Sequence, residues 1–300
     1  ELPNVDVCEL DRFPHDKRID IARERKFDVA VDLSGWTGGN FQVGFLARLA
    51  TIQINYLGYF SSTYNPNIDY WLGDSQLFPR PIVQSHSEEI KRLDRCFIAW
   101  QPSKHFPESS LSVTQPPDSK EIHFGSFNHN RKLSDATLTL WGKILKAIPG
   151  SKLVLKANSS FDDGTQVLIR RRMIRNGLDP DMVIWLPLTS TTEEHLMQYS
   201  QIDVSLDCFP NGGCTTTCEA LWMGTPVITL TGRSYVSRMS TAVLHGAGLA
   251  SWCTQSPQEY LDLATSQVQQ LSWLRQNREY WRTKILHNPL GNASELMEHI

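Results

Sequence analysis

The sequence predicts an α/β protein built on parallel sheets, and two observations support this. Short apolar runs rich in β-branched residues alternate with longer amphipathic segments, which is typical of parallel strands covered by helices on both faces. From Ile122 onward the strand candidates begin at residues 122, 152, 182, 204 and 226, a spacing of 22 to 30 residues. That spacing is the length of one strand–helix unit, so the series predicts an open, doubly wound sheet.

The strand candidates follow one another along the chain, each of them short and mostly apolar: Phe27–Leu33, Ile52–Tyr59, Ile68–Leu72, Arg95–Trp100, Ile122–Asn128, Lys152–Ala157, Met182–Leu186, Val204–Cys208 and Pro226–Leu230. Helical periodicity separates the later candidates, at Ser134–Ile148, Thr165–Asn176, Thr191–Ile202 and Thr216–Met223. Residues 1–26 and the tail from Gln258 are also expected to be helical. Thr191 with Glu194 three residues on predicts a capping box for the third of these helices.

Length and composition predict two domains of an ordinary globular protein. Three hundred residues correspond to about two domains at roughly 150 residues each. The segment Gln101–Lys120 holds four prolines and five serines, which is typical of a linker. We therefore expect a short α/β piece over residues 1–115, with three or four strands, and a complete α/β domain with a helical tail over residues 116–300.

Charge and hydropathy argue against several classes of partner. Twenty-nine Lys and Arg against 32 Asp and Glu give a net charge of −3, so bulk electrostatics does not favour a nucleic acid. No apolar stretch approaches the roughly 18 residues of a membrane-spanning helix, and no signal peptide is recognised. The six cysteines include only one pair with the spacing of zinc ligands, whereas a structural zinc site usually needs two such pairs. We therefore expect a cytoplasmic protein without a metal, a nucleic-acid partner or a membrane partner.

The segment from Leu206 to Glu219 is the most informative part of the sequence. A strand ends, a turn with two glycines follows, and Thr215, Thr216 and Thr217 open a helix. The amino end of a helix at the carboxyl edge of a parallel sheet attracts phosphate. Glu219 lies one turn further on the same face and offers a carboxylate to a ribose diol. From these residues alone, a capped helix with a solvated glutamate remains an alternative.

Two other residues are predicted to reach the same sheet edge. Lys132 follows the strand candidate Ile122–Asn128 after a short loop, and an ammonium there would offset charge on a diphosphate leaving group. His195 lies in the first turn of the helix after Thr191 and offers a donor to a phosphate or a nucleobase. For both residues a solvated surface position is the alternative.

Six segments carry a likeness that covers about residues 27–265: Val31–Thr37, Ile52–Tyr59, Phe124–Asn128 with Lys132, Glu194 with His195, Asp203–Asp207 and Thr215–Pro226. In order and spacing they resemble the catalytic region of the O-linked N-acetylglucosamine transferase and SPINDLY family. The resemblance implies a GT-B fold of two Rossmann-like domains, the N-terminal one incomplete in this chain.

The resemblance also implies roles for individual residues. Lys132 would contact the diphosphate and is the expected catalytic residue, with His195 at the nucleotide and Glu219 at the ribose. The threonines Thr215, Thr216 and Thr217 would contact the phosphates, Leu57 and Gly58 would lie beside the sugar, and His129 stands at a position that lines the nucleotide-sugar site. No metal is implied.

The implied function is an inverting, metal-independent glycosyltransferase that moves a GlcNAc-like sugar from a nucleotide-sugar to Ser or Thr of a polypeptide. No cofactor is expected beyond the donor substrate, and UDP-GlcNAc is preferred over GDP-fucose. A GDP-fucose-dependent protein O-fucosyltransferase, a transferase for a small glycan or lipid, and a non-catalytic nucleotide-sugar-binding module remain alternatives. Family segments expected upstream of residue 1, among them tetratricopeptide repeats of the parent chain, are not recognised. We therefore expect a fragment with reduced activity.

Overall fold

The structure is a computed structural model that describes residues 5–103, 106, 120–156 and 162–300. The chain divides into two compact units, Glu1–Leu93 and Asp94–Ile300. In the part of the chain that is described, no helix has the length and apolar character needed to cross a membrane.

The N-terminal unit contains a four-stranded parallel sheet in the order β1-β2-β3-β4. Its strands are β1 (Val29–Asp32), β2 (Ile52–Tyr56), β3 (Tyr70–Asp74) and β4 (Glu89–Leu93), and its helices are α1 (His15–Glu24) and α2 (Gln42–Leu46). In its core the rings of Trp71 and Phe78 pack edge to face, with centroids 4.9 Å apart. Both side chains are buried, so β3 and the loop after it contribute to this core.

The C-terminal unit contains a six-stranded parallel sheet in the order β10-β9-β8-β5-β6-β7. Its strands are β5 (His123–Ser126), β6 (Lys152–Leu155), β7 (Val183–Trp185), β8 (Val204–Leu206), β9 (Val227–Leu230) and β10 (Cys253–Thr254). Counted from β5, this is the doubly wound order 3-2-1-4-5-6. The chain leaves β5 toward β6 on one side and later returns to β8 on the other, so the topological switch point lies between β5 and β8.

The helices of this unit lie between and after the strands: α3 (Asp135–Ala147), α4 (Asp163–Arg175), α5 (Thr192–Met197), α6 (Thr215–Trp222), α7 (Met239–Gly246), α8 (Pro257–Ser266), α9 (Leu271–Gln276), α10 (Arg278–Leu286) and α11 (Ala293–His299). The predicted doubly wound sheet and the four predicted helices are confirmed. Thr191 and Glu194 form both halves of the predicted capping box. The third helix changes to a 3-10 turn at Gln198–Gln201, so α5 is shorter than the predicted Thr191–Ile202.

One predicted strand is wrong, two strands of the structure were not predicted, and one predicted strand ends outside the described residues. The predicted strand Arg95–Trp100 is wrong, because this segment is irregular, whereas the charged segment Glu89–Leu93 forms β4. β4 pairs through its backbone with β3 at the edge of the sheet, where polar side chains remain in solvent. β10 was not predicted, and it contains only two residues. The last residue of the predicted strand Lys152–Ala157 lies outside the described residues.

Residues 94–100 pack on the C-terminal unit, although the predicted division placed them in the N-terminal piece. Buried Arg95 donates to the carbonyl oxygens of Asn292, at 2.7 Å, and of Pro289. The backbone N–H of Trp100 donates to the carbonyl oxygen of Leu290 at 2.7 Å. These bonds explain why the C-terminal unit begins at Asp94. Most of the predicted linker Gln101–Lys120, including the predicted boundary at 115/116, lies outside the described residues.

Candidate functional site

The candidate site lies at the topological switch point of the C-terminal sheet. The loop after β5 carries Asn128 and Lys132, and the loop after β8 carries Asp207 and leads into α6. Because neighbouring loops leave the sheet in opposite directions at this point, a crevice forms outside the carboxyl ends of β5 and β8. Ligands of doubly wound sheets bind in such crevices.

Lys132 and Thr216 converge on one side-chain oxygen. Lys132 ends a 3-10 helix, Asn130–Lys132, and its Nζ donates to the carbonyl oxygen of Gly212 at 2.8 Å and to Asn128 Oδ1 at 3.2 Å. The hydroxyl of Thr216 donates to the same Asn128 Oδ1 at 3.3 Å. Two residues that the sequence predicted from separate segments are therefore gathered at one point.

The amino end of α6 presents backbone donors beside this cluster. The N–H groups of Thr217 and Cys218 both donate to the carbonyl oxygen of Cys214 at 3.1 Å. The N–H groups that begin a helix have no partner within it, and in α6 these belong to Thr215 and Thr216. Together with the helix dipole, they favour an anion.

The three predicted threonines differ in their surroundings. Thr215 is exposed, Thr216 is half-buried, and Thr217 is buried. The hydroxyl of Thr217 lies 2.9 Å from Ser240 Oγ, inside the unit. A contact of Thr217 with phosphate stays a prediction, whereas Thr215 and Thr216 are more open to a ligand.

The two glycines of the turn before α6 have no room for a side chain. A Cβ added at Gly213 would lie 2.5 Å from Thr216 Oγ1 and 2.7 Å from Thr217 Oγ1. A Cβ added at Gly212 would lie 2.9 Å from Asp207 Oδ2. All three distances are shorter than normal contacts, so glycine is required for the turn to pack against the threonine hydroxyls.

Asp207 is a buried carboxylate beneath this turn, with 1% of its surface exposed. Its Oδ1 accepts from the N–H of Gly213 at 2.8 Å and from Asn128 Nδ2 at 3.2 Å, and its Oδ2 accepts from Thr229 Oγ1 at 2.8 Å. Burial raises the pKa of Asp207, although hydrogen bonds from Ser240, Thr229 and the N–H of Gly213, and the charge of Lys132, act in the opposite direction. Sequence reasoning gave Asp207 no role. The available signal was a carboxylate directly after an apolar buried strand.

His195 and Glu219 meet on the other side of the α6 amino end. His195 Nε2 lies 3.9 Å from Glu219 Oε2. The His195 ring contacts the rings of Phe127 and Tyr199, with centroid distances of 5.7 and 6.2 Å. Phe127 and Tyr199 are themselves 4.2 Å apart. A buried aromatic pair therefore supports the imidazole, and both polar groups retain partial exposure.

Three predicted residues remain: His129 in the C-terminal unit, and Leu57 and Gly58 in the N-terminal unit. His129 is exposed, and its Nδ1 accepts from the N–H of Arg131 at 3.1 Å, which caps the 3-10 helix. Leu57 and Gly58 belong to the N-terminal unit, directly after β2. Leu57 has a φ of +67°, and a Cβ on Gly58 would lie 1.6 Å from the carbonyl oxygen of Leu33. This turn therefore requires glycine at position 58.

The described residues contain no group of three or more His, Cys, Asp or Glu placed to hold a metal ion. The six cysteines, all within the described ranges, are free thiols. Burial raises the pKa of Cys214, at the start of α6, to about 12. Its thiol is therefore neutral at physiological pH and adds no charge beside Lys132.

Comparisons with known proteins agree with this architecture. Residues 109–299 match the family described as glycosyl transferase family 41. A protein of Oryza sativa, named a probable UDP-N-acetylglucosamine–peptide N-acetylglucosaminyltransferase SPINDLY, is 35% identical over 271 residues, covering 90% of this chain and 29% of its own length. The chain therefore spans less than a third of this relative.

Solved structures show the same fold. A mutant of the Thermobaculum terrenum O-GlcNAc transferase superposes with a TM-score of 0.85 at 29% identity, covering 96% of this chain and 54% of that protein. Anabaena HepE, solved with UDP and glucose, superposes with a TM-score of 0.55 at 13% identity, covering 95% and 81%. These neighbours and the two parallel-sheet units confirm the predicted GT-B fold class. The match over residues 109–299, together with the rice relative, shows that this chain belongs to glycosyl transferase family 41.

Proposed function

We propose that this chain carries the nucleotide-sugar site of an inverting protein O-glycosyltransferase that transfers GlcNAc from UDP-GlcNAc to Ser or Thr of a polypeptide. One observation carries the proposal: Lys132 and Thr216 converge on Asn128 beside the amino end of α6. The names of the rice relative and of the Thermobaculum structure support the donor, the sugar and the peptide acceptor.

The diphosphate of the donor would lie against Lys132 and the first turn of α6. An ammonium has three donors, and within the described residues Lys132 directs two of them to Gly212 and Asn128. The third is available to a phosphate oxygen. The N–H groups of Thr215 and Thr216 would add two further donors and the positive end of the helix dipole.

The nucleoside would extend from the phosphates toward Glu219 and His195. The Glu219 carboxylate lies one helical turn beyond Thr215 and would accept from the ribose hydroxyls. His195, 3.9 Å from that carboxylate, would contact the adjoining part of the nucleotide. The roles that the sequence predicted for these residues are therefore compatible with one bound molecule.

The transfer itself is a displacement at the anomeric carbon. The hydroxyl oxygen of Ser or Thr bonds to that carbon, and the electron pair of the old bond leaves with the β-phosphate oxygen. The products are UDP, a proton and the glycosylated peptide. Negative charge grows on the diphosphate during this step, and a fixed ammonium stabilises it more in the transition state than in the bound donor. We assign that role to Lys132.

A reducing compartment such as the cytoplasm suits the six free thiols. The acceptor is proposed to be a polypeptide. The chain spans less than a third of the rice relative. As part of the same proposal, tetratricopeptide repeats lie elsewhere in a longer parent protein.

Calorimetric titration tests the nucleotide site and a transfer assay tests the reaction. We expect UDP and UDP-GlcNAc to bind more tightly than GDP and GDP-fucose. Glu219→Gln should weaken UDP binding by about tenfold, since a hydrogen bond to a charged group is worth about 1.5 kcal/mol or more. The same substitution should have no effect on the binding of 2′,3′-dideoxy-UDP. Glu193→Gln, an exposed glutamate of α5, is the matched control and should bind UDP normally.

Mass spectrometry of a Ser/Thr peptide incubated with each donor distinguishes the alternatives. A mass gain of one N-acetylhexosamine with UDP-GlcNAc supports the proposal. Tighter binding of GDP with transfer of fucose would replace it with the O-fucosyltransferase alternative. Nucleotide binding without product from any donor would support the non-catalytic module instead.

A further inference from the structure

We propose that Asn128 is a positioning residue for this reaction: its side-chain amide, held in one orientation by buried Asp207, places the Lys132 ammonium and the Thr216 hydroxyl at the diphosphate. The inference rests on the proposed function, because it takes Lys132 and Thr216 as phosphate ligands. It adds two residues to which sequence reasoning gave no role.

The two ends of the Asn128 amide face chemically opposite partners. Its Nδ2 donates to Asp207 Oδ1 at 3.2 Å, whereas its Oδ1 accepts from Lys132 Nζ at 3.2 Å and from Thr216 Oγ1 at 3.3 Å. Asn128 is buried, with 7% of its surface exposed. Every polar atom of the amide is therefore engaged inside the protein.

Asp207 decides which way the amide turns. An ionised carboxylate only accepts hydrogen bonds, so the amide nitrogen of Asn128 must face it and the amide oxygen must face the site. The reversed orientation would set oxygen against the Asp207 carboxylate and NH₂ against the Lys132 ammonium. Both contacts would be repulsive in a buried setting where unmatched polar groups are costly. The carboxylate therefore fixes the side of the amide that Lys132 meets.

The orientation matters because Lys132 is otherwise flexible. A lysine side chain carries a point charge at the end of a flexible four-carbon stem. Here two acceptors hold the ammonium, Asn128 Oδ1 and the carbonyl oxygen of Gly212. Removing the amide oxygen leaves one. A displacement of about 1 Å of a catalytic group can cost roughly a hundredfold in rate.

The main test compares Asn128→Ala with Asn176→Ala. Asn176 is a matched control, since its Oδ1 also accepts from a threonine hydroxyl, that of Thr139 at 3.2 Å, and its amide also donates within the same unit. We expect Asn128→Ala to lower kcat at least about tenfold and to change KM for UDP-GlcNAc by less than about threefold. Asn176→Ala should leave both values unchanged.

A double-mutant cycle separates positioning from general destabilisation. If Asn128 acts through Lys132, Asn128→Ala should cause little further loss of kcat in a Lys132→Ala background. Additive losses, or a kcat of Asn128→Ala equal to that of the wild type, would overturn the proposal.

The role of Asp207 is tested by two substitutions. Asp207→Asn retains an acceptor for Gly213 and Asn128 and should keep kcat within about threefold of the wild type, whereas Asp207→Ala should lower kcat as much as Asn128→Ala. If Asp207→Ala does not fold, the kcat of Asp207→Asn still tests the role of Asp207. A tenfold loss there would show that charge, not amide orientation, is the property that matters.

A measurement that needs no ligand keeps this inference separate from the proposed function. In ¹⁵N-labelled protein, the Asn128 side-chain NH₂ should exchange with solvent more slowly in the wild type than in Asp207→Ala. Equal exchange would overturn the orienting role of Asp207. A wild-type protein without transferase activity but with the expected exchange would refute the proposed function alone.

Discussion

Substitution of Gly213 by alanine tests whether packing in the turn before α6 maintains the proposed phosphate site. The added Cβ would lie 2.5 Å from Thr216 Oγ1 and 2.7 Å from Thr217 Oγ1. Neither hydroxyl is the end of a long flexible chain, and Thr217 is already held by Ser240 at 2.9 Å. The clash must therefore move the turn, the start of α6, or both.

The size of the effect follows from those distances. Ordinary contact begins at 3.4 Å, so the shortfall is 0.9 Å (3.4 − 2.5) at Thr216 and 0.7 Å (3.4 − 2.7) at Thr217. Overpacking of this kind costs about 1–3 kcal/mol, which lowers Tm by roughly 2–4 °C per kcal/mol in a unit of this size. Displacing one phosphate donor should weaken UDP binding by about tenfold.

Thermal unfolding and calorimetric UDP titration of the purified variant measure both quantities. Gly164→Ala is the matched control in the same unit. Its Cβ would approach no atom closer than 3.5 Å, and alanine is favoured in a helix by about 0.5–1 kcal/mol, so Tm should stay equal or rise. If Gly213→Ala kept the wild-type Tm and UDP affinity, the packing argument for this turn would be refuted.

Three further predictions follow from the two units. Lys132→Ala should lower kcat by about 10²–10³ and weaken donor binding much less, because the ammonium acts on charge that develops in the transition state; equal turnover would remove Lys132 from the mechanism. UDP affinity measured by calorimetry should be the same with and without EDTA, since Lys132 and the start of α6 supply the positive charge; loss of binding on chelation would contradict this. Burial raises the pKa of Glu88, but hydrogen bonds from Ser62 and Thr63 outweigh it and bring the pKa below the ordinary 4.5. The stabilisation by the Glu88 carboxylate should therefore be complete above about pH 4.5 and lost as the pH falls through the lower pKa of the folded protein. As the pH is lowered, the Tm of Glu88→Gln should fall less steeply than the Tm of the variant at exposed Glu89, Glu89→Gln.

Local sequence patterns predicted the C-terminal unit well because local and tertiary preferences agree there. Strands such as Val204–Leu206 are buried along their whole length and lie in the middle of the sheet, so their lack of charged residues indicates a central position. The capping box at Thr191 is likewise a local signal. β4 gave no such signal, since an edge strand tolerates charged residues and forms through backbone pairing with β3.

The sequence was enough to propose the ligand-binding residues of the candidate site, but not the residues that hold them in place. Lys132, Thr216 and Glu219 carry chemistry that a motif reveals, and the switch-point topology brings their loops together. Asn128 and Asp207 are joined by a hydrogen bond between loops 79 residues apart in sequence, and Thr216, 88 residues from Asn128, donates to the same amide. A buried amide or carboxylate of this kind has no periodicity, and its partners are known only once the sheet is assembled.

The bonds from Arg95 and Trp100 to residues 289–292 have a consequence for how the chain is made. The first segment of the C-terminal unit finds its partners almost two hundred residues later, at a sequence separation of 197 between Arg95 and Asn292. On a ribosome the strands from β5 to β9 emerge and pair in order, whereas the bonds of Arg95 and Trp100 cannot all form until residue 292 has left the exit tunnel. Closing such a long loop is entropically slow. Nascent chains released before that point should hold the sheet without these bonds, and these are the species on which chaperones and proteases would act.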